Sequence, residues 1–225
     1  MIAVRNLRYA WPGAADNLVI DALDVPSGHT VFLHGPSGCG KSTLLGLMAG
    51  VLQARPGTVS LLGQDWAALP PGQRDQRRAD HVGVIFQQFN LLPYLTVLDN
   101  VLLPCRFSAL RSSRCVGGPA AAAQALLQRV GLPAALWPRR ADALSVGQQQ
   151  RVAAARALIG GPELVIADEP TSALDAALRD DFMNLLMDAC TAAGSTLIFV
   201  SHDERLAARF DQTLSLPQLN QAVAA

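Results

Sequence analysis

The chain has 225 residues, of which half are apolar, and its 18 basic side chains balance 18 acidic ones. This length suffices for one large core, and the balanced charge argues against nucleic acid as a main partner. No apolar run approaches the roughly 20 residues needed to cross a bilayer, and residues 1–6 lack the layout of a secretory signal. The four cysteines form no CxxC pair, which favours a reducing cytoplasm. We therefore expect one cytoplasmic domain over residues 1–225.

The first 30 residues predict antiparallel strands, because apolar and polar positions alternate on both sides of the turn-rich segment 11–16. Two aromatic residues, Tyr9 and Trp11, lie at this turn. Either side chain could stack on the flat face of a base, although the residues alone favour a core or surface role.

Residues 35–43 read GPSGCGKST, a GxxxxGKS pattern between a short apolar strand at 30–33 and a helix-forming run at 44–49. Its glycines allow successive N–H groups to turn inward around phosphate oxygens, and the helix N-terminus adds partial positive charge. Lys41 is placed to reach the outer phosphates, and Ser42 to ligate Mg²⁺. The predicted nucleotide-binding residues here are Gly35, Pro36, Ser37, Gly38, Cys39, Gly40, Lys41, Ser42 and Thr43.

Two further strands are predicted at residues 58–63 and 82–86 from their apolar and β-branched content, with a polar connection or short helix at 64–80 between them. The second strand ends at Gln87. Because α/β sheets hold their ligands at the carboxyl ends of their strands, Gln87 is a candidate for the nucleotide site.

Residues 88–160 have the character of a helical insertion between core strands. Pro119 and Gly131 bracket one helix, since proline is favoured at a helix start and glycine just past a helix end. The Ser- and Gly-rich stretch 111–118 is predicted to be the most flexible loop.

Near the end of the insertion, residues 144–148 read LSVGQ and open a helix that continues to Ile159. Ser145 and Gln148 have the spacing of a capping box. This second helix N-terminus, which also carries Gly147, could hold phosphate or could simply be a well-capped helix.

An apolar run at 164–167 ends in two carboxylates. A carboxylate at the end of a core strand is costly unless a cation or exposure compensates, so Asp168 is predicted to pair with Mg²⁺. Glu169 is placed to polarise an attacking water as general base.

Residues 172–175 are predicted to cap a long helix that ends near 193, and 195–200 to form the last core strand. That strand delivers His202 to the same rim as Lys41, which favours a catalytic role over a structural one. The other three histidines, His29, His34 and His81, are interpreted as structural.

Taken in order, these elements resemble the ATP-binding subunit of ABC transporters over essentially the whole chain. The resemblance implies an α/β fold: a P-loop NTPase (RecA-like) core with a mostly parallel sheet and an N-terminal antiparallel β subdomain, formed by residues 1–87 and 161–225. Residues 88–160 would be the inserted helical subdomain.

The resemblance also implies the site. Lys41 and Ser42 would hold ATP and Mg²⁺, with Ser42, Gln87 and Asp168 on the metal. Glu169 would act as general base, His202 would contact the γ-phosphate, and Trp11 would stack on adenine. The segment with Ser145, Gly147 and Gln148 would cap the nucleotide held by a second ATP-binding subunit, which is expected to form a homodimer with this chain.

Two such subunits facing head to tail would bury two ATPs and drive an integral-membrane permease from the cytoplasmic face of the membrane. Residues 84–93 and 95–97 look most like the lipoprotein-release, macrolide-export and cell-division group, which favours export or extraction from the membrane. Residues 91–94 would lie near the permease contact, or would form a hydrophobic hairpin of the insertion.

One residue departs from the family pattern: Val146 stands where glycine is usual. Valine disfavours positive φ, so either the backbone has negative φ here or one phosphate contact is weakened. Two other functions remain open, an ABC-type ATPase of a non-transport membrane or repair complex and a small-molecule kinase. The kinase leaves residues 145–148, Asp175 and His202 unexplained.

Overall fold

The computed structural model describes residues 1–171 and 176–222. Within these ranges the strands are β1 (Ile2–Ala10), β2 (Asp16–Val25), β3 (Thr30–His34), β4 (Val59–Leu61), β5 (Gln64–Asp65), β6 (Val82–Ile85), β7 (Leu164–Asp168), β8 (Thr196–Val200) and β9 (Gln212–Ser215). The helices are α1 (Lys41–Met48), α2 (Pro71–His81), α3 (Val97–Phe107), α4 (Ala109–Ser113), α5 (Pro119–Arg129), α6 (Val146–Leu158), α7 (Ala176–Ala193) and α8 (Leu216–Leu219). Of the described helices, none is long and apolar enough to span a bilayer.

A parallel sheet of five strands, in the order β6-β7-β8-β3-β9, forms the centre of the molecule. Its inner strands β7 and β8 read as continuous apolar runs because both faces are covered, and all five residues of β8 are buried. The carboxyl ends of β3, β6, β7 and β8 consequently meet along one edge, where α/β folds hold their ligands. This arrangement confirms the predicted core.

The expectation that residues 195–200 form the last core strand is wrong, because β9 follows and pairs with β3. Only Leu214 of its four residues is buried. A short, largely polar edge strand has no apolar run to reveal it in the sequence.

The predicted antiparallel sheet is confirmed, with four strands in the order β2-β1-β4-β5. Ile2, Val4 and Leu7 of β1 are buried in the same apolar cluster as Leu44 of α1. The antiparallel sheet therefore packs against the helix that follows the phosphate loop.

The prediction of a flexible loop at 111–118 is wrong for residues 111–113, which belong to α4. The Arg111 side chain is 2% exposed, and its guanidinium donates to the carbonyl oxygens of Ala157 at 2.6 Å and Ile159 at 2.8 Å. The last carbonyls of a helix lack partners within it, so a buried cation at the end of α6 satisfies them. The sequence hides this role because arginine in a Ser-rich stretch suggests solvent exposure.

A three-residue ion cluster joins α2, the start of β7 and the segment after α4. Glu163 accepts hydrogen bonds from Arg114 at 2.7 Å and from the His81 ring nitrogen Nδ1 at 2.8 Å. Burial raises the pKa of Glu163, but the hydrogen bonds from Arg114 and His81 outweigh burial and leave this pKa below its usual value.

Glu163→Gln is expected to make the free energy of unfolding depend less on pH in the acid range. A carboxyl group whose pKa is lowered by folding stabilises above its unfolded pKa, and this contribution is lost as the pH falls through the folded pKa. The variant should lose about 1 kcal/mol at pH 7 and progressively less as the pH falls from 7 through the lowered folded pKa, since partly exposed ion pairs contribute little more. Urea denaturation across this range measures the difference. A variant as stable as the wild type at every pH would contradict the expectation.

Candidate functional site

The phosphate loop connects β3 to α1. Gly38 and Gly40 have φ of +80° and +104°, in the left-handed region that favours glycine. At Gly40, the residue that caps α1, a Cβ would also lie 2.8 Å from Leu18 Cδ2. The loop thus turns directly onto the N-terminus of α1, whose first N–H groups have no acceptor within the helix and whose partial charge is positive. This geometry suits an anion.

Lys41 begins α1 and is nearly buried, with 7% exposure. Its ammonium donates to the carbonyl oxygens of Gly35 at 2.9 Å and Pro36 at 3.0 Å. Both acceptors are neutral, so the positive charge stands beside the loop without a carboxylate to compensate it within hydrogen-bond distance in the described chain. Phosphate oxygens would supply that compensation.

The remaining loop residues take different places. Ser37 and Thr43 face the main cavity described below, while Gly35 and Pro36 border a smaller cavity shared with His202. Cys39 packs back under the loop, since a Cβ at Gly35 would lie 2.8 Å from its Sγ.

Ser42 and Asp168 come together at the end of β7. The Ser42 hydroxyl donates to Asp168 Oδ2 at 3.5 Å. Burial, followed by the charge of Glu169, raises the pKa of Asp168 above its usual value despite that hydrogen bond and the charge of Lys41. A hydroxyl and a carboxylate are the hard oxygen ligands that Mg²⁺ uses, and a bound cation would favour the ionised form of Asp168. These residues therefore fit Mg²⁺.

Glu169 and His202 lie in direct contact because β7 and β8 are neighbours. Glu169 Oε1 is 2.6 Å from His202 Nε2. The backbone of Glu169 has φ of +48°, which is uncommon for a residue with a side chain, and its N–H donates to the carbonyl of Val200 at 3.1 Å. Strained conformations of this kind cluster at functional sites. The Glu169 side chain is 17% exposed and that of His202 47%, so both can be reached.

A cavity of about 460 Å³ joins these groups, a size typical of small-molecule sites. It is lined by Trp11, Asn17, Ser37, Gly38, Gly40, Lys41, Ser42, Thr43, Gln87, Glu169 and His202. Trp11 is 45% exposed, and its ring stands nearly perpendicular to that of Tyr9, with ring centroids 5.5 Å apart. An exposed aromatic ring at the cavity can stack on a flat base. Asp168 borders an adjoining apolar cavity together with Trp11 and Ser42.

Sequence reasoning missed two polar residues here. Asn17 lines the cavity, and its Oδ1 is buried without a hydrogen-bond partner among the described residues. Arg156 of α6 donates to the carbonyl oxygens of Phe89 at 2.5 Å and Asn90 at 2.6 Å. Both acceptor residues have positive φ, so Arg156 ties the strained turn after Gln87 to α6. Neither role has a local sequence signal, because both depend on segments distant in the chain.

The N-terminus of α6 does not line the cavity. The predicted capping box is confirmed: the Ser145 N–H donates to Gln148 Oε1 at 3.1 Å, and the Gln148 N–H donates to Ser145 Oγ at 3.4 Å. Val146 is the first residue of α6, with helical backbone and 50% exposure. A Cβ at Gly147 would meet nothing within 4 Å, so the packing of the described chain does not require glycine there. The predicted cap at 172–175 lies outside the described residues.

Together, the fold and the cavity define a P-loop nucleotide-binding ATPase. A model of the family described as "ABC transporter" matches residues 20–172. The chain belongs to this family of ATP-binding proteins and is an ATPase that couples ATP hydrolysis to transport.

Two curated relatives and one solved structure show where in the family the similarity is high. The lipoprotein-releasing system ATP-binding protein LolD of Anaeromyxobacter dehalogenans (strain 2CP-C) is 44% identical over 194 residues, which are 86% of this chain and 80% of LolD. The macrolide export ATP-binding/permease protein MacB of Shigella flexneri is 36% identical over 222 residues, 96% of this chain and 33% of MacB. The ABC cassette MJ0796, solved as a dimer in a post-hydrolysis state with ADP and Pi, superposes with a TM-score of 0.82 at 32% identity, over 96% of this chain and 94% of MJ0796.

Proposed function

We propose that this chain is the energy-coupling ATPase of an export or membrane-extraction transporter, working as a homodimer on the cytoplasmic face of the membrane. One observation carries the proposal. The phosphate loop, Glu169 and His202 share one cavity, whereas the N-terminus of α6 lies outside it with an unencumbered Gly147. The site is therefore incomplete in one chain.

Within the cavity, we assign catalytic roles to Glu169, His202 and Lys41. Lys41 exchanges its carbonyl partners for the outer phosphates, and Trp11 stacks on the base. Ser42, Asp168 and Gln87 hold Mg²⁺, which when bound neutralises phosphate charge. Glu169 takes a proton from the attacking water, and His202, already 2.6 Å from its Oε1, orients that carboxylate and contacts the γ-phosphate.

The second half of the site is the N-terminus of α6 from the other subunit. Ser145 and Gln148 cap each other, but the capping box leaves other N–H groups of the first turn available for an anion. The missing side chain at Gly147 lets a phosphate approach the backbone closely. Since Val146 is helical and turned outward, it need not weaken this contact. The dimeric MJ0796 cassette supports such an assembly.

Gly147→Leu is expected to keep ATP affinity of the isolated subunit and to lower turnover by about 10²-fold, the usual loss when a preorganised donor at a reacting group is blocked. The added side chain meets nothing in its own chain but fills the space left for the partner's nucleotide. Fluorescent-nucleotide titration and phosphate release measure the two quantities. Val146→Gly is the matched control and should change turnover little. Loss of affinity with unchanged turnover per bound ATP would contradict the composite site.

The membrane partner is proposed to dock in a cavity of about 580 Å³ between α2, β6 and α3, which we call the β6 groove. Its lining includes Phe86 and Phe107, which are 42% and 69% exposed. β6 is an edge strand of the sheet, and Phe86 directly precedes Gln87. A permease segment in this groove would therefore press on the turn that carries a ligand of the nucleotide. Tyr94, in the segment 91–94 that the sequence predicts near the permease contact, is 65% exposed.

Affinity purification of the chain from detergent-solubilised membranes tests the transport role. The proposal predicts that a multi-span membrane protein co-purifies, and that Phe107→Asp abolishes its recovery. Recovery of the chain entirely from the soluble fraction with nucleic acid attached would instead favour the alternative, an ABC-type ATPase of a repair complex. The balanced charge of the chain argues against that alternative.

A further inference from the structure

Two cysteines that are ten positions apart meet in the helical region. Cys105 Sγ lies 3.7 Å from Cys115 Sγ. Cys105 is in the last turn of α3 and is half-buried, and Cys115 follows α4 and is buried. Sulfur atoms in a disulfide are about 2.05 Å apart, so a movement of roughly 1.7 Å would join them.

The surroundings allow that movement. Pro104 lies inside α3, and proline removes a helical hydrogen bond and loosens the turn that carries Cys105. On the other side, Cys115 is held by a weak hydrogen bond, from its Sγ to the carbonyl oxygen of Arg111 at 3.3 Å. Arg111 itself is anchored to the end of α6 through its guanidinium, so α3 is the side that moves.

We propose that Cys105 and Cys115 form a reversible intramolecular disulfide by exchange with a low-molecular-weight disulfide such as glutathione disulfide. Cys105, the more exposed thiol, loses its proton and attacks one sulfur, forming a mixed disulfide and releasing one glutathione thiolate that takes up the proton. Cys115 then attacks the Cys105 sulfur and releases the second glutathione thiol. Glutathione disulfide is reduced to two thiols, and the two cysteines are oxidised.

The local chemistry sets the speed and the direction of this exchange. Burial, and then the hydrogen bond with Cys115, raises the pKa of Cys105 to about 12. The thiolate is scarce at neutral pH, so the first step is slow and accelerates with pH. For the same reason the reduced form gains no thiolate stabilisation, which favours the disulfide once it has formed.

The proposed disulfide lies beside the β6 groove and away from the nucleotide cavity. Neither cysteine lines the cavity that holds the phosphate loop, but Pro104 and Arg111 both line the groove. The disulfide would therefore fix α3 to the α4 segment at the edge of the groove. Its formation does not depend on the proposed function, since it requires neither ATP nor a partner.

The test uses the reduced full chain with glutathione disulfide between pH 7 and pH 9, followed by acid quench, alkylation and peptide mass spectrometry. We expect a Cys105–Cys115 disulfide that dithiothreitol reverses, formed at a rate that rises about tenfold per pH unit without a plateau. Cys115→Ser should instead accumulate a glutathione adduct on Cys105. Cys190→Ser, which removes a buried cysteine of α7, is the matched control and should behave as the wild type.

Three results would overturn the proposal. The first is a wild type that retains the glutathione adduct on Cys105 without resolving it, and the second is a Cys115 that remains alkylatable after complete oxidation of Cys105. A disulfide between Cys39 and either cysteine would likewise show that the observed pair is not the reacting pair. ATP turnover measured on the same reduced sample reports separately on the proposed function.

Discussion

Glu169→Gln is expected to lower kcat for ATP hydrolysis by about 10²- to 10⁴-fold, the contribution of a positioned general base. The amide keeps the size of the side chain and its place beside His202, but it cannot take the proton of the attacking water. ATP affinity should be maintained or increased, because the substitution removes a negative charge from the phosphate cavity.

Single-turnover phosphate release and nucleotide titration separate these two effects. Glu163→Gln is the matched control: it makes the same chemical change at the opposite end of β7, in the ion cluster with Arg114 and His81, and should leave kcat unaltered. Turnover by Glu169→Gln within a few-fold of the wild type would contradict the assignment of Glu169 as the general base.

Lys41→Ala is expected to weaken ATP binding by about 10- to 100-fold, the range for a hydrogen bond to a charged group. The substitution also removes the donors that hold the carbonyl oxygens of Gly35 and Pro36. Turnover should fall further than affinity, because the developing negative charge on the transferred phosphate loses a cationic partner.

The position of Lys41 at the phosphates can also be tested by chemical modification. Lys41 is the only lysine in the sequence, so an amine-reactive acylating reagent can modify only this side chain and the N-terminus. Saturating ATP should protect Lys41, as followed by peptide mass spectrometry, while acylation of the N-terminus serves as the internal control. Equal acylation of Lys41 with and without ATP would contradict its place at the phosphates.

The parts of the fold that could be predicted are those determined by residues close together in the sequence. The capping box of Ser145 and Gln148 needs only residues three apart, and the strand that ends at Asp168 is marked by its apolar run. The phosphate loop combines both kinds of signal, because its glycines stand between a strand and a helix.

The parts that could not be predicted depend on distant segments. β9 exists only because β3 offers it an edge, and Arg111 is buried only because α6 ends beside it. The pairing of Cys105 with Cys115 likewise follows from the packing of α3 against the segment after α4. In none of these cases does the local sequence indicate the distant segment that becomes the partner.

The site within one chain accounts for the binding of ATP better than for its hydrolysis. Its cavity contains a phosphate loop, a candidate base and a histidine, whereas the second helix N-terminus with the right chemistry opens elsewhere. We therefore infer that each active site is built from the loop of one subunit and α6 of the other.

Mixing two inactive variants tests this claim most directly. In a heterodimer of Lys41→Ala with Gly147→Leu, one site carries both lesions and the other carries neither. Random pairing then predicts recovery of up to about a quarter of wild-type ATP turnover in the mixture. A mixture whose subunits exchange but that is no more active than the separate variants would contradict the composite site.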